Sequence, residues 1–211
     1  MKLRLCIFIV FAALFALDFV LVEKGMTQAF DDSVLGTFVG LRADALTAIV
    51  KAVTSFGNPL TVIILCVVLI ILPGRMKVGL PVALMTVVGF AAQTLFKAIV
   101  ARPRPDMAYW LIEESSSSFP SGHANISIVF WFALLVLLGR ALTLRGNRAA
   151  AVLIRIILAV FAVLIGVSRL YLGVHFASDV FGGWLLAGSL LPLLFIVYDR
   201  LWPTKWRIPI S

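Results

Sequence analysis

The sequence predicts an all-α polytopic membrane protein, a bundle of six transmembrane helices with one short amphipathic helix on its extracytoplasmic side. Three observations point there. Of the 211 residues, 62% are hydrophobic and only 13% are charged, whereas a soluble domain carries about 45–50% apolar and about 25% charged residues. Six apolar segments, at 5–22, 59–73, 78–100, 121–139, 149–168 and 178–198, are divided by short polar gaps. Basic residues cluster in alternate gaps. One membrane-embedded domain over 1–211 follows, with its polar blocks between 97 and 179.

The first segment follows Lys2 and Arg4, as a signal peptide would. Its apolar run is longer than the usual core of about 7–15 residues, and Val22-Glu23-Lys24 offers no small-residue cleavage site, so an uncleaved span is expected. Between Glu23 and Gly57 the chain turns polar. Leu46, Ile49, Val50 and Val53 recur there at helical spacing, with Asp44 as N-cap and Gly57 as stop, which predicts a helix lying on the outer membrane surface. Segment 59–73, between Asn58-Pro59 and Pro73-Gly74, is short and spans only with little tilt or a thinned bilayer. The other four reach the length of about 20 residues that a bilayer requires.

Lys2, Arg4, Arg75, Lys77, Arg140, Arg145, Arg148, Arg200, Lys205 and Arg207 fall in alternate gaps. Glu23, Asp31, Asp32, Asp44, Asp106, Glu113 and Glu114 fall in the others. Both termini are therefore expected in the cytoplasm of a plasma (inner) membrane protein. The net charge of +8 forms no contiguous patch, so no nucleic-acid partner is expected. Cys6 and Cys66 lie in apolar runs and read as small hydrophobes.

Ionisable groups beside apolar runs are costly and mark function. Three such blocks occur, and the topology places all of them at the outer face: Lys97…Arg104-Pro105, Pro120-Ser121-Gly122-His123 and Arg169…His175…Asp179. Pro103 and Pro105 break the helix after Lys97, so Arg104 can fold back. Arg102 is read as a charge snorkelling at a helix end, and Asp18 as an interfacial or helix-paired carboxylate. Gly122 begins a helix whose free N–H groups favour an anion, with Ser121 adding a hydroxyl and His123 a proton. His175 and Asp179, four apart, are expected on one helical face, where a carboxylate on one imidazole nitrogen frees the other as nucleophile. Gly173 offers the break that brings Arg169 to the same place. Three cations, two imidazoles and a carboxylate point to a phosphoryl group.

Lys97-x6-Arg104-Pro105, Pro120-Ser121-Gly122-His123 and Ser168-Arg169-x5-His175-x3-Asp179 resemble, in order and spacing, the three-part signature of the type-2 phosphatidic acid phosphatase superfamily. The resemblance implies that His175 attacks phosphorus and that Asp179 orients it. It implies that His123 protonates the leaving oxygen and then activates water. Lys97, Arg104, Arg169, Ser121 and Gly122 would hold the non-bridging oxygens. It implies no metal and no other cofactor, and three neighbouring cations disfavour a zinc site. The expected substrate is a lipid phosphate or diphosphate such as undecaprenyl diphosphate, phosphatidylglycerol phosphate or phosphatidic acid. A phosphotransferase using the same phosphohistidine, or a non-catalytic carrier of phosphorylated lipid, would share the motifs.

Overall fold

The computed structural model describes residues 1–208. Among them the chain forms α1 (Lys2–Glu23), α2 (Gln28–Gly40), α3 (Asp44–Ser55), α4 (Pro59–Ile71), α5 (Gly79–Val100), α6 (Gly122–Leu144), α7 (Arg148–Tyr171) and α8 (Ala177–Leu201), with no strand. Helices α1, α5, α6, α7 and α8 are each long and apolar enough to cross a membrane. The protein is a multi-pass membrane protein. Its outer surface exposes Ile9, Val10 and Leu17 of α1, Ile63 and Val67 of α4, and Leu153, Ile156 and Val160 of α7. Apolar surface on that scale matches lipid and not water.

Helix α6 is the central element, packed against α5, α7 and α8, while α1 packs on α8. Val129, Ala133 and Leu137 of α6 are completely buried. Small residues let the backbones close up. A Cβ on Gly183 of α8 would stand 2.6 Å from the Ser121 carbonyl, and one on Gly89 of α5 would stand 2.8 Å from Val129. These approaches fix α6 against α8 and α5 directly beneath the motif residues.

Two expectations need correction. Segment 59–73 is not a self-sufficient span: α4 has 13 residues, roughly 20 Å at 1.5 Å per residue, against a hydrocarbon core of about 30 Å. It meets α3 at a bend of 52°, and the two together make at most one further crossing. The stretch 23–57 holds two helices, not one. Helix α2 was not foreseen, because its polar residues read as a connector. Helix α3 begins after Ala43, not Asp44, since the Tyr171 hydroxyl accepts the Ala43 N–H at 3.0 Å and supplies the cap.

The helix ends explain the site's position. Helix α5 stops at Ala101, whose φ of 48° turns the chain aside before Pro103. Ser121 caps α6 through its Oγ, which accepts from Ala124 N. Helix α7 ends before Gly173, whose φ of 73° and tight packing on the Tyr109 carbonyl exclude a side chain. Thus α5 and α7 end where α6 and α8 begin, at one pole of the bundle. At the other pole Arg4 pairs with Asp199 at 2.5 Å and Trp202 Nε1 donates to the Met76 carbonyl at 2.8 Å.

Candidate active site

His175 stands in the turn before α8, not on the helix as its spacing from Asp179 suggested. Asp179 is in the first turn of α8, where its Oδ2 accepts from the Phe176 N–H at 2.8 Å. This capping contact folds the turn so that His175 Nδ1 comes 3.4 Å from the same oxygen. Ser118 Oγ, 3.3 Å from Nδ1, also donates to Asp179 Oδ2. On the far side of the ring, Nε2 lies 3.1 Å from Arg104 Nη1. A guanidinium only donates, so Nε2 carries the lone pair and Nδ1 the proton. Burial, followed by the positive charges of Arg104, Arg169, Lys97 and Arg102, pushes the His175 imidazole well below its ordinary pKa of 6.5. It is a neutral ring with its basic nitrogen turned away from Asp179.

A cavity of about 650 Å³ opens here, lined by Lys97, Arg104, Glu113, Glu114, Gly122, His123 and His175, with Gln93 and Phe90 on its wall. Both histidines therefore face one space. His123 sits at the start of α6, and a Cβ on Gly57, at the α3–α4 bend, would be 3.0 Å from His123 Cδ2. The bend packs directly on that ring.

The cations form a linked set. Arg104 donates from Nη1 to the Val174 carbonyl at 2.7 Å and from Nη2 to Glu114 Oε2 at 3.3 Å. Fully buried Arg169 donates to Thr54 Oγ1 at 2.9 Å and to Glu114 Oε1, while its Nε–H has no partner. Lys97 Nζ donates to the Ser117 carbonyl. Two arginines from distant segments thus close on one carboxylate, each meeting a different oxygen, as they would on a phosphoryl group. Ser121 and Arg169 are both fully buried and do not line the cavity: Ser121 caps α6, while Arg169 meets the cavity wall through Glu114.

Five participants were missed in the sequence. Glu114 and Ser118 lie in the serine-rich loop that reads as flexible; Thr54 looks like one more residue of a polar helix. Arg102 does not snorkel. It donates to Asp179 Oδ1 at 2.7 Å and to Asp31 Oδ2 at 2.8 Å, and those carboxylates hold its pKa above the ordinary value despite the opposing cost of burial. Asp31 itself is fully buried on α2. No sequence signal marks it, because Thr27, Gln28, Asp32 and Ser33 make its surroundings polar. Asp18 is half-buried, and its Oδ2, shielded against Gly182 of α8, has no hydrogen-bond partner.

The chain is similar to several known proteins. Phosphatidylglycerophosphatase B of Bacillus subtilis is 41% identical over 106 residues, which is 50% of this chain and 50% of that protein. The match thus spans about half the length of that relative. An undecaprenyl-diphosphatase of Sulfolobus acidocaldarius is 27% identical over 165 residues, 76% of this chain and 74% of the relative. The crystal structure of a transmembrane PAP2-type phosphatidylglycerolphosphate phosphatase from Bacillus subtilis matches with a TM-score of 0.82 and 27% identity, over 92% of this chain and 96% of that one. Aquifex aeolicus LpxE, 24% identical, shares the fold with a TM-score of 0.57 over 80% of this chain and 96% of its own. The family model described as the PAP2 superfamily matches residues 78–203, a span that contains all three polar blocks, and the chain belongs to that superfamily.

Proposed function

We propose that this protein is an integral-membrane lipid phosphatase that hydrolyses a lipid phosphate or diphosphate at the extracytoplasmic face through a phosphohistidine. One observation carries the reading: the unprotonated Nε2 of His175 faces away from Asp179, on a cavity shared with Lys97, Arg104, Gly122 and His123. The phosphoryl group takes the place of the Glu114 carboxylate between Arg104 and Arg169, with Lys97 completing the neutralisation. Nε2 attacks phosphorus, the bond to the lipid oxygen breaks, and His123 gives that oxygen its proton. Asp179 steadies the positive ring through Nδ1–H. Water, deprotonated by His123, then attacks phosphorus, the P–N bond breaks, and inorganic phosphate and neutral His175 are restored. Fixed charges aimed at the transferring group supply most of such catalysis.

The lipid tail has a place to go. A second cavity of about 340 Å³, lined by Val62, Ile63, Val67, Ala83 and Val87 of α4 and α5, shares Pro59, Phe90 and Ile126 with the first. An acyl or prenyl chain lies in this apolar groove while its phosphate reaches the cations. The names of the relatives support phosphatidylglycerol phosphate and undecaprenyl diphosphate as candidates, with phosphatidic acid a third. The basic residues at the opposite pole favour cytoplasmic termini in a plasma (inner) membrane and an outward-facing site. Phosphate release from these three lipids in detergent tests the reading. Turnover of at least one, undiminished by chelator and inhibited by vanadate, is expected. Binding without release from any of them contradicts it.

A further inference from the structure

Arg102 and Asp31 lie outside the catalytic cavity, yet they close on the carboxylate that His175 faces. Resting on the reading of His175 as nucleophile, we infer that Asp31 of α2, acting through Arg102, is a positioning residue for phosphoryl transfer. The pair fixes Asp179 and leaves its negative charge available to His175.

The geometry is a continuous buried chain. Arg102 holds two carboxylates with the two arms of one guanidinium, Asp179 Oδ1 on Nη1 at 2.7 Å and Asp31 Oδ2 on Nη2 at 2.8 Å. Ser178 locks the crossing. Its Oγ donates to Asp31 Oδ2 at 2.6 Å and accepts from Arg102 Nη1 at 2.8 Å, while its N–H donates to Asp31 Oδ1 at 2.9 Å. The guanidinium lies 4.5 Å from the centroid of the Phe176 ring, so its plane is held as well. Both carboxylates are fully buried, and the contacts tie α2 and the α5–α6 loop to each other and to the first turn of α8, beside the turn that carries His175.

The charge count explains why a second carboxylate is needed. Arg102 and Asp179 alone would form a neutral pair, and His175 would take on its positive charge beside neutral ground. Arg104, Arg169 and Lys97 surround it as well. Asp31 gives the trio a net charge of minus one. Arg102 can then orient Asp179 without cancelling it. Buried ion pairs gain little stability over apolar packing, so retention of such a group at a reacting centre suits orientation better than fold stability.

The test is a double-mutant cycle on the full-length protein in detergent, following phosphate release from phosphatidylglycerol phosphate. Asp31→Asn should lower kcat about 10-fold, the low end for groups that orient a reacting side chain, with KM changed less than about twofold. In an Asp179→Asn background it should cost nothing further, because the charge it positions for His175 is gone. An unchanged kcat, or losses that multiply, overturns the inference. Should Asp31→Asn fail to fold, Arg102→Lys enters the same cycle; it keeps the charge but cannot bridge two carboxylates. The same non-additivity is expected, and multiplying losses again refute it. A His175→Ala control separates the two levels: retained turnover there defeats the nucleophile reading, whereas an essential His175 with multiplying losses defeats only the relay.

Discussion

Two arginine-centred clusters flank His175, and they are built on opposite charge balances. Around Arg102, two carboxylates share one guanidinium, and the set is sealed between α2 and α8. Around Glu114, Arg104 and Arg169 close on a single bridging carboxylate, Lys97 stands nearby on the Ser117 carbonyl, and Lys97, Arg104 and Glu114 border an open cavity. The first carries a net charge of minus one on two fully buried carboxylates, which serves His175 and not an anionic ligand. The second is short of negative charge by about a phosphoryl group's worth. Surplus positive charge held rigidly beside a cavity marks where an anionic ligand completes the structure, whereas buried carboxylates paired on one guanidinium mark what holds the site still.

Substitutions should separate the clusters by size and sign. The largest effect belongs to the group between them: His175→Ala should reduce kcat by about 10³-fold or more, as loss of a nucleophile does, in a phosphate-release assay. Retention of a tenth of wild-type turnover would break the comparison at its centre. Next, Arg169→Met should cost about 10²-fold in kcat/KM through lost stabilisation of the transferring oxygens. A loss confined to protein stability would place Arg169 with the structural cluster.

Glu114→Gln carries the opposite sign. Freeing both arginines from a competing anion should tighten inhibition by vanadate about fivefold, equivalent to about 1 kcal/mol; weaker inhibition would show Glu114 to be part of the binding surface. The smallest effect is on pH. Because burial and the cations depress the His175 pKa below 6.5, the ring stays neutral in the folded protein where the unfolded chain would take up a proton. Stability should therefore decline as pH falls below about 6.5, by linkage, and the acid limb that His175 sets on kcat/KM should lie below that value. A limb at or above it, absent in a His175 variant supporting residual turnover, would mean the surplus charge does not reach the nucleophile.

The fold was largely legible because lipid demands it: long apolar runs interrupted by polar blocks leave few arrangements, and α1, α5, α6, α7 and α8 form where those runs lie. The motif residues were legible for the same reason, since Lys97, His123, Arg169 and His175 are conspicuous beside apolar neighbours. Asp31, Arg102 and Glu114 were not. They sit in polar stretches, where a charge that pairs internally and a charge that faces water have the same sequence context. Ser121 shows the converse, a motif residue whose hydroxyl the structure uses to cap a helix. The bend between α3 and α4 was hidden too, because segment 59–73 is apolar all round and its shortness alone does not reveal that it continues α3.

The central claim is that one phosphoryl group is gripped between two imidazoles by the unbalanced cluster. A structure of the protein with bound vanadate tests it most directly. The account predicts vanadium bonded to Nε2 of His175, its oxygens on Arg104, Arg169 and Lys97, His123 on the opposite side, and the Glu114 carboxylate displaced. Vanadate bound elsewhere, or held by the cluster with Nε2 still on Arg104 and Glu114 still in place, would contradict it.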